Sequence, residues 1–336
     1  MFGYCIFFRN VLYFINRLLT EESVLHKYMK IIVLVTAAVL TAVPFCGCTE
    51  IDEDVPAPVM ATAVSEKPYP VSAGSLVFDE APRTVGSLSP ALTEIICELG
   101  FGDKLTGRSE YCVYPESVSD TATLGSAANP DVDAIIGAAP DLLMSLSPIA
   151  KKDITAIEAA GTRVWIISPP QSTGDLYRCY EEIAAVFGGK LNCSAAAEDA
   201  LEPLKKALYD ARDSMESFVY IMSPELAAAS DSTFAGNFFS YFGKNAAGKR
   251  SGEEDISMTA EELLALDPQW LILPDSVSVY ELPEETSGLS AIKNNRIIVL
   301  DDDVLERIER PTSRLDSAVY AILEQINESD GESQDE

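Results

Sequence analysis

The sequence predicts an α/β protein with two lobes, each built on a parallel central sheet, joined by one long α-helix. One observation is a repeated order of helix, proline turn, strand, helix, Gly or Asn turn and strand, which occurs near residues 132–168 and again near 260–300. The other is a polar, Ala-rich stretch from Ser194 to Met215 with the length of a helix. Because parallel strands need crossover connections, a long helix can join two lobes without entering either sheet. A single doubly wound sheet is the alternative architecture.

The two copies of the repeat can be followed in chain order. In the first lobe the helix, turn, strand, helix and strand are VDAIIGAA, Pro140-Asp141, LLMSL, KKDITAIEAAG and TRVWIIS. In the second lobe they are AEELLAL, Asp267-Pro268, QWLIL, GLSAIKNN and RIIVL. Alternation of strands and helices argues for parallel central strands in both lobes. We therefore assign residues 81–188 to an N-terminal lobe, 189–216 to the linking helix and 217–327 to a C-terminal lobe.

Composition limits the partners of this chain. Its 336 residues are 47% hydrophobic, which is enough to bury one large core or two modest ones. The formal net charge of -29 would repel a phosphate backbone, since nucleic-acid binding needs clustered Lys and Arg. We therefore expect no nucleic-acid partner.

The region before Ala81 needs its own explanation. After Met29-Lys30 comes a run of about fifteen apolar residues, which suits a signal peptide better than a membrane span. Gly47-Cys48 follows and resembles a bacterial lipoprotein cleavage site, with Cys48 as the lipid-bearing residue; a secreted form and an uncleaved anchor are the alternatives. We expect the following divisions: residues 1–28 a non-native upstream extension, 29–48 a lipoprotein signal peptide, 49–80 a flexible tether and 328–336 an acidic tail.

Five short motifs occur in order between Arg83 and Met144. They are a strand ending in SLSP, a helix closing on ELG, a strand leading to YCVYP, then NPDVDAI, and a helix running into PDLLM. Residues 81–327 thereby resemble the substrate-binding proteins of ABC importers for cobalamin, ferric siderophores or haem. The resemblance implies a ligand cleft between the lobes, a rigid helical link with small hinge motion, and a membrane permease with its ATPase as partners. It also implies a binding protein rather than an enzyme.

The YCVYP loop holds the strongest ligand candidates. Ligands of open α/β sheets bind beyond the carboxyl ends of the strands, where this loop, Ser89 and Asn129 are expected to lie. Tyr111 and Tyr114 stand outside any periodic apolar face, and a phenol offers a flat apolar surface with one polar tip. We expect one ring to pack beneath the loop and Tyr114 to be the exposed one.

Arginines and other aromatic residues are weaker candidates. Arg108, Arg310 and Arg314 could bind carboxylates or amides, although an arginine in an acidic protein is more often a salt-bridge partner. Arg310-Pro311 matches a turn that the resembling family places near the cleft. We interpret the following aromatic side chains as core: Trp165, Trp270, Phe234, Phe238, Tyr241 and Phe242.

The sequence contains few residues that are suited to metal binding or to catalysis. His26 is the only histidine and lies in the upstream extension, which excludes relatives that bind zinc or manganese through histidines. The run from Asp301 to Asp303 predicts a solvated loop rather than a metal site.

A surface hydrolase with a carboxylate pair remains an alternative function, and a lipid-tethered sensory or scaffold domain is another. The following cysteines could form two disulfides or stay free: Cys97, Cys112, Cys179 and Cys193.

The sequence ranks the ligands that the resemblance allows. Hydroxamate-binding relatives place an arginine before the Asn-Pro of the fourth motif, where this chain has Ala127. The net negative charge of the chain disfavours binding of anionic catecholate complexes. We expect a corrinoid such as cobalamin first, a ferric siderophore second and haem third, with no separate cofactor. The protein would be extracytoplasmic and held to the cell membrane by the lipid on Cys48.

Overall fold

The computed structural model describes residues 67–248 and 255–332. His26, the predicted signal peptide and Cys48 therefore lie outside the described residues, as do the first part of the predicted tether and the end of the predicted acidic tail. Within the described ranges, no helix combines the length and the apolarity that a membrane crossing needs.

A small antiparallel hairpin comes first in the described chain. Its strands are β1 (Val71–Ala73) and β2 (Leu76–Phe78). Val71, Ala73 and Phe78 are buried, and the Phe78 ring lies 6.4 Å from that of Trp165. The prediction of a flexible tether over residues 49–80 is thus wrong for this part, because three inward-facing apolar side chains anchor it to the first lobe.

The first lobe contains a four-stranded parallel sheet with strand order β4-β3-β5-β6. Its strands are β3 (Val85–Ser87), β4 (Leu105–Arg108), β5 (Leu142–Ser145) and β6 (Arg163–Ile166). Its helices are α1 (Pro90–Glu98), α2 (Val132–Ala138) and α3 (Lys151–Ala159). Every residue of β5 is buried, as expected for a central strand of a sheet covered on both faces.

Two consecutive helices follow the first lobe, α4 (Thr173–Gly188) and α5 (Cys193–Asp210), and they pack against each other. Ser172 caps α4 by accepting a hydrogen bond from the Asp175 amide at 3.0 Å. The second helix, α5, occupies the predicted linking segment of residues 189–216. The lobes therefore meet through a helical pair rather than through a shared sheet.

A second four-stranded parallel sheet, with order β12-β11-β7-β9, forms the centre of the second lobe. Its elements, with a small antiparallel pair β8-β10, are β7 (Ser217–Tyr220), β8 (Ala227–Ala229), α6 (Phe234–Phe239), β9 (Lys244–Asn245), β10 (Asp255–Ser257), α7 (Ala260–Leu266), β11 (Trp270–Pro274), α8 (Ser290–Lys293), β12 (Ile297–Leu300), α9 (Asp302–Glu309) and α10 (Leu315–Glu332). Two separate parallel sheets confirm the two-lobe fold class and exclude the single doubly wound sheet.

Two acidic segments differ from their predictions. The run from Asp301 to Asp303 begins α9 instead of forming a loop, because the Asp301 carboxylate accepts the Val304 amide at 2.8 Å. Asp303 pairs with Arg307 at 2.6 Å within the same helix. Negative charge in a first turn also suits the helix dipole. Residues 328–332, predicted as part of an acidic tail, continue α10.

Two glutamates of α1 join the first lobe to the turn between α9 and α10. We define the interlobe polar cluster as Glu94, Glu98, Tyr180, Thr312, Ser313 and Arg314. Glu94 accepts hydrogen bonds from the Thr312 hydroxyl at 3.1 Å and from the Arg314 guanidinium at 3.2 Å. Both contacts cross from one lobe to the other.

The second glutamate completes this cluster. Glu98 accepts hydrogen bonds from the Ser313 hydroxyl at 2.8 Å and from the Tyr180 hydroxyl. The Tyr180 oxygen in turn accepts the Ser313 amide at 2.8 Å. Glu94 is buried and Glu98 is half-buried, and carboxylates withdrawn from water are costly without partners, so these bonds favour one arrangement of the lobes.

We expect Gly236→Ala to destabilise the second lobe. A Cβ at position 236 in α6 would lie 1.9 Å from the Ser230 carbonyl oxygen, which is backbone and cannot rotate away. The free energy of unfolding should fall by about 1–3 kcal/mol or more, measured by urea denaturation. Gly137→Ala is the matched control, because a Cβ there meets nothing within 4 Å and should be neutral or stabilise α2 by up to about 1 kcal/mol. Equal stability of the two variants would contradict this account.

We expect Glu94→Gln to change how stability depends on pH. Burial raises the pKa of Glu94 above its ordinary value of 4.5, although Arg314 and Thr312 lower it. The folded protein therefore favours the protonated form of Glu94. The stability that this preference contributes is fully present below the ordinary pKa and is lost as the pH rises through the raised pKa. The free energy of unfolding of the glutamine variant, relative to that of the parent, should thus rise from acidic to neutral pH. Urea denaturation of both proteins at each pH measures it.

Asp267→Asn provides a comparison of opposite sign. The Ser290 amide and hydroxyl bind the Asp267 carboxylate and lower its pKa, so its contribution is present above the ordinary value and lost as pH falls. The stability lost on Asp267→Asn should therefore shrink as pH falls. Parallel pH trends in the two variants would contradict at least one of the two assignments.

Candidate functional site

A cavity of about 470 Å³ lies between the lobes at the carboxyl ends of the central strands. First-lobe residues that line it are Ser89, Pro90, Ala91, Leu146, Ser147, Pro169, Pro170 and Gln171. Second-lobe residues that line it are Tyr220, Met222, Phe234, Ala235, Leu305, Ile308, Glu309, Arg310 and Pro311. Its volume and its mostly apolar walls are those of a small-molecule site.

The first-lobe wall begins with α1. Ser89 precedes the helix, but its hydroxyl accepts the Leu146 amide at 2.9 Å instead of capping α1. That bond ties two loops of the wall together, and Pro90 then starts the helix facing the cavity. Ser89 thus lies where the sequence predicts, with its oxygen already engaged in a bond that shapes the wall.

The second-lobe wall contains residues that the sequence pattern does not reveal. The sequence predicts Phe234 to be core, because it shares helical spacing with Phe238 and Phe242. In the structure Phe238 and Phe242 are fully buried, whereas Phe234 lines the cavity. It stands at the first position of α6, where Thr233 caps the helix by accepting the Gly236 amide at 3.0 Å. Tyr241 is also not core, since 39% of it is exposed.

Tyr220 ends β7 and faces the cavity beneath Phe234's helix. Its ring packs against Phe239, with 5.4 Å between ring centroids. Burial, and then the nearby charge of Glu309, raises the pKa of Tyr220 to about 12. The phenol is therefore protonated at neutral pH and available as a hydrogen-bond donor. Tyr220 ends an apolar strand, and nothing in the sequence around it indicates that it borders a ligand site.

Charged groups in the lining are few. Arg310 lines the cavity as its Arg-Pro motif suggested, and its guanidinium pairs with Glu306 at 2.7 Å. Glu309 is the one carboxylate among the described lining residues. Few charged groups therefore face this cavity, and its lining is mainly apolar.

The loop with the paired tyrosines stands near the cavity without lining it. Tyr111 and Tyr114 are 56% and 44% exposed, so the expectation that one ring packs beneath the loop is wrong. The inward residue is Cys112, whose sulfur contacts the Thr93 hydroxyl at 3.1 Å. The Tyr114 ring lies 4.2 Å from the guanidinium of Arg314, which also contacts Glu94. Glu94 is one helical turn beyond the cavity-lining start of α1, so this stack continues the wall outward.

Arg108 shapes the loop that carries the tyrosines. Its guanidinium donates to three backbone carbonyls, those of Val118 at 2.8 Å, Ser109 at 3.1 Å and Ser119 at 2.9 Å. Those bonds fold the loop back onto the end of β4. Arg314 is similarly occupied in the interlobe polar cluster. Asn129 is exposed in a turn outside the lining, where its amide donates to the Ser126 hydroxyl at 3.3 Å.

All four cysteines in the described part of the chain are free thiols. Burial raises the pKa of Cys97 to about 11 and that of Cys179 to about 12, and it also raises the pKa of Cys112. Thiolate chemistry is thus disfavoured at neutral pH at these three buried or half-buried positions. Across residues 67–248 and 255–332, no group of three or more His, Cys, Asp or Glu side chains is placed to hold a metal ion.

A larger depression of about 700 Å³ lies along α5. Its floor includes Leu201, Leu204 and Leu208 of that helix, and its rim includes Tyr177 and Tyr209. It does not meet the carboxyl ends of the parallel strands, which is where ligands of such sheets bind. The interlobe cavity is therefore the better candidate site.

Known proteins resemble this chain over most of its length. An uncharacterized ABC transporter substrate-binding lipoprotein, YvrC of Bacillus subtilis, is 27% identical over 309 residues, covering 86% of this chain and 95% of the relative. A vitamin B12-binding protein of Vibrio campbellii is 24% identical over 264 residues, covering 74% of this chain and 93% of the relative.

Solved structures share the fold. One is a possible iron-binding (periplasmic solute-binding) protein from Staphylococcus epidermidis, with a TM-score of 0.61 and 20% identity, covering 74% of this chain and 99% of that one. A family model described as periplasmic binding protein matches residues 85–304, from the first strand of the first lobe into α9. Since that match spans both lobes and the helices between them, the chain belongs to the periplasmic binding protein family.

Proposed function

We propose that this protein is the substrate-binding component of an ABC importer and that it captures a bulky metal chelate, a corrinoid or a ferric siderophore, between its lobes. The observation that carries the proposal is the apolar cavity at the carboxyl ends of both parallel sheets, lined from the two lobes together. A ligand held by both walls would favour the closed arrangement of the lobes. A permease could then distinguish the loaded protein from the empty one.

The ligand class follows from the walls. Apolar side chains, with proline the commonest, make up most of the lining, and the Tyr114 ring on Arg314 lies next to it. Such surfaces suit a flat or rounded apolar body with a polar periphery. The names of relatives agree with this class, since one is a vitamin B12-binding protein and a structural neighbour is a possible iron-binding protein. Haem is a third candidate with the same flat shape.

The cellular setting forms part of the proposal. The predicted signal peptide and Cys48 would anchor the protein by a lipid outside the cytoplasm, beside a permease and its ATPase. YvrC, which aligns over 95% of its own length, is named as a lipoprotein of an ABC transporter. The hydrolase alternative needs two carboxylates at the substrate, whereas the described cavity lining offers Glu309 alone.

We expect Tyr111→Ala and Tyr114→Ala each to weaken ligand binding. The purified protein is titrated with cobalamin, cobinamide, haem and ferric siderophores while its intrinsic fluorescence is followed. Loss of one ring in contact with the ligand should lower affinity about tenfold, which corresponds to about 1.4 kcal/mol. Tyr280→Ala is the matched control, because Tyr280 is 94% exposed and lies at residues 279–281 of the second lobe, outside both the cavity lining and the loop that carries Tyr111 and Tyr114.

Three outcomes separate the candidate functions. Saturable binding of one chelate, lost in the tyrosine variants, together with loss of its uptake on gene deletion, supports the importer. Binding without any effect of deletion on uptake would move the assignment to a sensory or scaffold domain. If none of the chelates binds, the proposal that the protein captures a metal chelate is wrong.

A further inference from the structure

Tyr220 presents an unpaired hydroxyl at the wall of the cavity. The side chain is 5% exposed and lines the cavity, yet its hydroxyl has no hydrogen-bond partner within residues 67–248 and 255–332. It is not one of the fully enclosed unpaired side-chain atoms of those residues, which are Ser214 Oγ, Asp231 Oδ1 and Arg307 Nε. The oxygen therefore reaches open space, and the cavity is the space that this side chain borders. A phenol so deeply buried favours any ligand that supplies the missing partner.

Glu309 offers the complementary group on the same wall. Its carboxylate lines the cavity and has no ion pair or hydrogen bond within the described residues, whereas the adjacent Arg310 is held by Glu306 at 2.7 Å. The charge of Glu309 contributes to the raised pKa of Tyr220, so the two groups interact electrostatically. One lining group thus donates a hydrogen bond and its neighbour only accepts one.

We propose that Tyr220 and Glu309 form a donor and acceptor pair that recognises a carboxamide on the bound chelate. A carboxamide oxygen accepts from the phenol, and its NH₂ group donates to the carboxylate, so both protein groups are satisfied at once. A ligand carboxylate would satisfy only the phenol and would be repelled by Glu309. Corrinoids carry several side-chain carboxamides, whereas haem carries two carboxylates. The inference rests on the proposed function and selects the corrinoid within it.

The test compares ligands that differ in this one group. Purified protein is titrated with cobalamin and with the separated monocarboxylic acids obtained by hydrolysing single side-chain amides of cobalamin. We expect at least one of these acids to bind about tenfold more weakly than cobalamin, the discrimination of about 1.4 kcal/mol that one mismatched polar contact gives. Glu309→Gln should restore the affinity for that acid, because it removes the repelling charge and its side-chain NH₂ can donate to the ligand carboxylate.

Tyr220→Phe tests the donor. The variant keeps the ring against Phe239 and should lose about tenfold in cobalamin affinity, with unchanged thermal unfolding as the check on folding. Tyr241→Phe is the matched control, since the Tyr241 hydroxyl contacts Thr173 at 2.7 Å and does not line the cavity. Its affinity for cobalamin should equal that of the parent.

The outcomes distinguish this inference from the function on which it rests. Equal affinity of the parent protein for cobalamin and every monocarboxylic acid would overturn the carboxamide assignment and leave corrinoid binding intact. Tight binding of haem or a ferric siderophore with none of cobalamin would also overturn it and leave the importer proposal intact. Absence of binding to all three classes would overturn both.

Discussion

The arrangement of the two lobes depends on hydrogen bonds between one turn, residues 312–314, and two glutamates of α1. Arg310 and Pro311, just before that turn, line the cavity, and so do Pro90 and Ala91, one helical turn before Glu94. The interlobe polar cluster therefore sets the separation of the two walls. A carboxylate withdrawn from water needs its partners, so opening the lobes would require the buried Glu94 to be hydrated again and the half-buried Glu98 to lose its partners. This constraint favours small motions about one geometry over wide opening.

The cavity takes its shape from polar groups that the fold has already satisfied. The Ser89 hydroxyl joins two loops, the Arg108 guanidinium holds three carbonyls, and Arg314 lies between Glu94 and the Tyr114 ring. Each of these side chains looks like a ligand contact in the sequence, because its residue type and position are right. What remains for ligand recognition is mainly apolar surface, with few unsatisfied groups such as Tyr220 and Glu309 to fix orientation.

The order of helices and strands could be predicted because it depends on local periodicity and on turn residues such as those at Pro140 and Asp267. The carboxyl ends of the strands, and thus the place of the cleft, follow from parallel topology alone. Side-chain roles could not be predicted in the same way. Phe234 and Phe238 share one helical face in the sequence, yet the approach of the other lobe decides that one lines a cavity and the other is core. The hairpin at residues 71–78 escaped prediction because its strands are too short for periodicity to show.

The residues just before that hairpin also determine where force would enter the folded molecule. The Lys190 amide donates to the Pro68 carbonyl at 3.0 Å and the Tyr69 hydroxyl donates to the Val186 carbonyl at 3.0 Å, which fixes the start of the described chain beside the end of α4. The other end of α4 follows Gln171 at the cavity, and its 16 residues separate the two ends by about 24 Å. A pull transmitted through residue 67 would therefore be borne by Pro68, Tyr69 and the end of α4, leaving the mouth of the cleft mechanically unloaded and free to meet a second surface.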